Sequence, residues 1–81
     1  MTAFQNAYTF ALAYVMSMFE GVEDITQEDI YLCAESNLRD WDAFAGPRHT
    51  DYNKAEYELT DTEWKDCLYA VTETAEARLL Y

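Results

Sequence analysis

Met1 to Phe19 reads MTAFQNAYTFALAYVMSMF and holds no Asp, Glu, Lys, Arg or His. Within it Phe4, Tyr8, Leu12 (with Ala11), Val15 and Phe19 (with Met18) recur at three- and four-residue steps, which marks one face of an α-helix from about Ala3 to Glu20. Phe10, Tyr14 and Met16 lie off that stripe, so the helix is apolar on more than one side and is expected to be covered on more than one side. Gly21 is the natural stop, because glycine takes a positive φ without steric cost. The segment approaches the length of a membrane span. Thr2, Gln5, Asn6, Thr9 and Ser17 interrupt it, however, and no Lys or Arg flanks it to set an orientation. It also lacks the basic start and small-residue cleavage site of a secretory signal. The reading is a central helix in a cytoplasmic protein with no membrane contact.

Two further helices announce their starts. Thr26 caps one, with Asp29 at the third helical position where Glu or Gln is usual, and Ile25 and Ile30 at the staple positions. That helix runs to about Trp41 or Phe44, buries Ile30, Cys33, Ala34, Leu38 and Trp41, and ends at Gly46-Pro47. Thr60 caps the other, Glu63 completes its box, and Leu59 pairs with Trp64. Its stripe continues through Cys67, Leu68, Val71, Ala75 and Leu79. The two starts resemble one another in kind, as good helix starts do. Between them, residues 48–58 read as a connection with one or two helical turns. The expected fold is all-α: one domain over residues 1–81, three main helices with a short extra helix in the 48–58 connection. Only two Gly and one Pro interrupt the 81 residues, which favours long elements.

All 16 acids and all 5 bases lie beyond Phe19, and the net charge is −11. The chain is 51% hydrophobic and 16% aromatic, too apolar for a disordered acidic tail. Arg39, Arg48, Lys54, Lys65 and Arg78 are scattered singly, so no basic patch favours direct contact with nucleic acid or an anionic membrane. Two cysteines, Cys33 and Cys67, are too few for a disulfide scaffold and read as packing residues.

No chemistry-bearing motif emerges. His49 is the one histidine, beside Pro47 and Arg48, and no catalytic triad spacing, nucleophile elbow or phosphate loop is present. Asp40-Trp41-Asp42 and Asp51-Tyr52-Asn53 each begin a calcium-loop pattern and then fail at its sixth position. Ser17 and Ser36 lack the Asp-Ser-Leu setting of an acyl-carrier protein. The expectation is a protein that is not an enzyme, with no cofactor and no metal.

What remains is the carboxylates. Glu20, Glu23, Asp24, Glu28, Asp29, Glu35, Asp40 and Asp42 face Arg39 alone, and six more acids fall from Asp51 to Asp66. Glu28, Glu35 and Asp42 recur by sevens, so they line one helical face about 10 Å apart at ~1.5 Å per residue. Asp66 and Glu73 repeat the step. Glu35–Arg39 and Asp61–Lys65 are spaced for ion pairs, but most acids lack a local partner. A net charge this large is costly to the compact state, and a cationic partner relieves it. Seven tyrosines exceed what so small a core hides, and tyrosine stacks well on arginine. The candidate partner-binding residues are Glu28, Tyr31, Glu35, Asp40, Asp42, Asp51, Tyr52, Glu56, Tyr57 and Glu58.

In length, charge and helical, tyrosine-rich make-up across the whole chain, the sequence resembles the small acidic inhibitors that bacteriophages encode against host defences, the anti-restriction DNA mimics and anti-CRISPR proteins. The resemblance implies a stoichiometric inhibitor acting in the host cytoplasm, which blocks the groove of a basic nucleic-acid-binding protein. Two other readings stand beside it: an immunity or antitoxin-type protein that caps a basic toxin with the same electrostatics, and a structural or assembly protein that oligomerises, as a homodimer for example, through its uncharged first helix while the charge only keeps it soluble.

Overall fold

A computed structural model of the chain describes residues 2–45 and 54–81, with Asp42 and Lys54 described by backbone alone. The described residues form four helices and no strand: α1 (Ala3–Phe19), α2 (Gln27–Ala45), the single turn α3 (Lys54–Tyr57) and α4 (Asp61–Leu79). The all-α fold and the short helix in the connection are as the sequence predicts. Gly46, Pro47 and the connection up to Asn53 lie outside the described residues.

Each long helix begins with a threonine whose hydroxyl and backbone are reciprocally bonded to the residue three places on. Thr26 N–H donates to Asp29 Oδ2 at 3.0 Å, and Asp29 N–H to Thr26 Oγ1 at 3.1 Å. Aspartate therefore closes the box despite its shorter arm. Thr60 and Glu63 make the same two bonds, both at 3.1 Å. Thr2 and Gln5 make a third box at 3.0 and 3.2 Å, which the sequence reading passed over. The stop after α1 is a type II turn: Glu20 has φ −61 and ψ 121, Gly21 has φ 73, and Val22 N–H donates to the Phe19 carbonyl at 3.1 Å. The third turn position demands a positive φ, which is why glycine sits there.

α1 is central and packs against α2, α3 and α4. Tyr8 Oη lies 2.8 Å from Thr74 Oγ1 and the Phe4 carbonyl lies 4.0 Å from Cys67 Sγ, so α1 and α4 run the same way. The short link from Glu20 to Thr26 returns α2 antiparallel to both. α3 closes the end where α1 begins: Asn6 Nδ2 donates to the Glu56 carbonyl at 2.8 Å. The bundle measures 44 × 21 × 18 Å.

The core line of α2 is Ile30, Ala34, Leu38, Trp41 and Ala45, close to expectation, with Cys33 half-buried beside it. On α4 it is Cys67, Leu68, Val71, Thr72 and Ala75. The buried line of α1 is Ala3, Ala7, Ala11, Leu12 and Val15. This corrects the expected stripe: Phe4, Tyr8 and Phe19 are half-buried flanks and Met18 is 64% exposed. A central helix with two long neighbours needs small inward side chains, so alanine takes the line and the aromatics are displaced to its edges. Trp41 is the largest buried side chain. Its ring meets Phe10, Phe44 and Tyr57 at 5.5, 5.6 and 6.1 Å, and its Nε1–H donates to the Tyr57 carbonyl at 2.9 Å.

Candidate functional site

Charge divides the surface by helix. The outward positions of α1 are Gln5, Thr9, Ala13, Tyr14, Ser17 and Met18, all exposed and all without formal charge. As expected, α1 is covered on more than one side: α2 and α4 cover two flanks, and a third stays open. The carboxylates begin where α1 ends. Glu20, Glu23 and Asp24 are exposed in the α1–α2 turn, with Asp24 at φ 61, and Glu28 and Asp29 follow in the first turn of α2. Aspartate tolerates the left-handed region better than most residues. Asp40 on α2, Glu56 and Glu58 after it, and Asp61, Asp66 and Glu73 on α4 are exposed as well.

Arg39 Nη2 pairs with Glu35 Oε1 at 3.2 Å one helical turn away, as the spacing predicted. The expected Asp61–Lys65 pair is absent: both side chains are exposed and no ion pair within 4.0 Å joins them. At an exposed helix start such a pair adds little, so its entropy cost wins.

The predicted contact residues divide into two groups that the fold does not bring together. Glu28, Tyr31 and Glu35 share one face of α2. Glu28 is exposed, whereas Tyr31 and Glu35 are half-buried and Glu35 is already ion-paired. Asp40 is exposed but lies five residues from Glu35, toward another side of the helix. Glu56, Tyr57 and Glu58 lie at the opposite end of the rod from Glu28, since α3 packs beside the start of α1. Tyr57 is half-buried, its ring lying on Trp41 at an interplanar angle of 26° and its carbonyl accepting from the indole. It belongs to the bundle's frame more than to its surface. Asp51, Tyr52 and the side chain of Asp42 lie outside the described residues.

Among the described residues the exposed tyrosines are Tyr14, Tyr69 and Tyr81, at 56%, 60% and 88%. Among the described residues the most concentrated exposed acids are Glu20, Glu23, Asp24 and Glu28, of which only Glu28 is among the candidate contacts. The overlooked signal was a run of acids around Gly21 in a non-helical link, where backbone and side chains both face solvent. Asp29 and Glu63 are held in capping boxes and are less available.

The thiols are protonated at neutral pH. Burial pushes Cys67 up to about 11. Cys33 is also raised by burial, an effect partly offset by Asn37, whose Nδ2 donates to Sγ at 3.4 Å. Among the described residues no three His, Cys, Asp or Glu side chains gather as metal ligands, and no helix is long and apolar enough to cross a membrane. The chain matches no protein-family model, no curated protein and no solved structure.

Proposed function

We propose that this chain is a stoichiometric protein inhibitor. Its acidic, tyrosine-bearing surface imitates nucleic acid and occupies the basic DNA- or RNA-binding groove of a host defence protein of the CRISPR-Cas or restriction type. The observation that carries the reading is the segregation of charge. Exposed carboxylates crowd the α1–α2 turn and the outer surfaces of α2 and α4, while the outward face of α1 holds none. A charge excess kept only for solubility has no reason to avoid one face.

The frame suits the task. Helices hold the carboxylates at set spacings, and the rod's 44 Å length covers roughly 13 phosphate steps at ~3.4 Å along one strand. The anionic field draws a Lys- and Arg-lined groove into register and raises the association rate, and the bound rod excludes the true ligand. Tyr69, exposed amid Lys65, Asp66 and Glu73 on α4, offers a ring for arginine to stack on.

The test is competition against labelled DNA or RNA for purified CRISPR effector complexes, restriction enzymes and a basic ribonuclease. We expect displacement from a defence complex at one-to-one stoichiometry, with affinity falling steeply as salt rises. The variant E20Q/E23Q/D24N/E28Q should associate about 10-fold or more slowly. Displacement from the ribonuclease alone would assign the chain to the toxin-capping class. Wild-type rates that the four substitutions leave unchanged would sink the acidic-surface reading altogether.

A further inference from the structure

The groove between α1 and α4 is the border where the uncharged helix meets a charged one. We propose that it receives arginine side chains of the basic partner, the aliphatic stem lying over the Phe4 and Tyr8 rings and the guanidinium reaching Asp66 or Glu73. This rests on the reading above and names the group that the acidic surface takes in.

Two contacts fix the register of the groove. The Phe4 carbonyl lies 4.0 Å from Cys67 Sγ, and Tyr8 Oη lies 2.8 Å from Thr74 Oγ1. Asp66 adjoins Cys67 in the chain and Glu73 adjoins Thr74. One carboxylate therefore stands level with Phe4 and the other with the tip of Tyr8. They are seven residues apart on α4, roughly 10 Å at ~1.5 Å per residue. Around the helix, at ~3.6 residues per turn, both lie on the solvent side of Thr74, with half-buried Ala70 between.

The α1 wall is aromatic. Phe4, Gln5, Tyr8 and Thr9 occupy a continuous arc of roughly 140° on the helix and line an open depression of about 310 Å³. Phe4 and Tyr8 form its α4 side, and exposed Gln5 and Thr9 its outer side. The two rings are nearly parallel at 7°, with centroids 6.5 Å apart. The volume is near the ~300 Å³ lower bound of ligand clefts, so it suits a side chain and not a folded element.

Charge selects the occupant. The chain carries −11, so a second copy, a phosphate or an anionic lipid is repelled. An apolar wall beside exposed carboxylates matches a long cationic side chain, whose stem lies on apolar surface while its head stays at a polar rim. Arginine fits better than lysine, because its flat guanidinium stacks on rings and pairs with a carboxylate through two parallel bonds. Tyr69, 60% exposed and between the two acids along α4, supplies a further ring face. Lys65 lies about 100° around the helix from Asp66, toward the other flank, and Arg78 one turn beyond Thr74, so neither base fills the groove.

Nona-arginine and nona-lysine peptides, equal in charge, test this against the 81-residue chain by calorimetry and by NMR of the aromatic rings, with no defence protein present. We expect nona-arginine to bind about 10-fold more tightly and to shift the Phe4 and Tyr8 ring signals more than those of Phe10 and Tyr14. D66N/E73Q should weaken nona-arginine about 10-fold, against about 3-fold or less for E20Q/E23Q, which removes the same charge from the α1–α2 turn. F4L/Y8L keeps apolar bulk without the rings and should bring nona-arginine down to the affinity of nona-lysine. Circular dichroism checks that each variant stays folded; if F4L/Y8L does not, the wild-type peptide comparison and the acid pair decide. Equal affinity of the two peptides for wild type, ring shifts centred on Phe10 and Tyr14, or E20Q/E23Q as damaging as D66N/E73Q would each overturn the proposal. A chain that binds nona-arginine in this way yet displaces nucleic acid from no defence complex keeps the groove and loses the inhibitor reading, so the two fail separately.

Discussion

α1 and α4 are nearly the same object seen from inside the bundle. They have 17 and 19 residues, run in the same direction and open with a threonine capping box. Each buries a line of modest side chains, Ala3-Ala7-Ala11-Val15 on one and Cys67-Val71-Ala75 on the other. From outside they differ entirely. α1 shows Gln5, Thr9, Ala13, Tyr14, Ser17 and Met18, while α4 shows Asp61, Lys65, Asp66, Tyr69, Glu73 and Arg78. Folding therefore depends on the shared half of each helix, and the outward half is left to serve whatever meets it. A single charge rule for the whole surface does not describe this chain.

The comparison can be broken most forcefully at Trp41, which connects α2 to α1 through Phe10 and to α3 through the Tyr57 carbonyl. Trp41→Ala should cost about 3–5 kcal/mol, much of the stability of so small a domain. The cooperative thermal transition should be lost or brought near room temperature, and a melt close to wild type would mean the two sides are welded elsewhere. A finer test uses the caps. Thr2→Ala and Thr60→Ala should each cost about 1 kcal/mol by denaturant midpoint, because a cap is a local bond whatever charge surrounds it. Markedly unequal costs would show that the acidic field, not the hydrogen bond, sets the stability of the α4 start. The smallest effect sharpens the contrast directly. D66N/E73Q should stabilise the fold by about 0.5 kcal/mol at low salt, and the gain should vanish at high salt as screening removes the repulsion. A gain that persists in salt would point to helix propensity instead.

Much of the fold is legible in the sequence because its signals are local. The Thr26 and Thr60 boxes, the Ile30 to Trp41 stripe and the positive φ at Gly21 each rest on residues within a few places of one another. The register of α1 is less legible. Reading by bulk places Phe4 and Tyr8 inward, yet close packing of three helices favours the smaller neighbours Ala3 and Ala7, a choice made between helices and not within one. Tyr57 is similar: in sequence it is an aromatic among acids, and only Trp41, 16 residues away, reveals it as part of the frame. The surplus of acids is plain from counting. Which side of the molecule lacks them depends on where α2 and α4 sit against α1.

The alanine line has one more consequence. Because the innermost strip of α1 is made of methyl groups, almost none of the helix's aromatic mass is consumed in filling the centre. Phe10 supports the indole from the margin, Tyr8 reaches across to a hydroxyl on α4, and Tyr14 is left over for the outside. A thin-walled middle is how 81 residues afford both a closed interior and an unspent hydrophobic exterior.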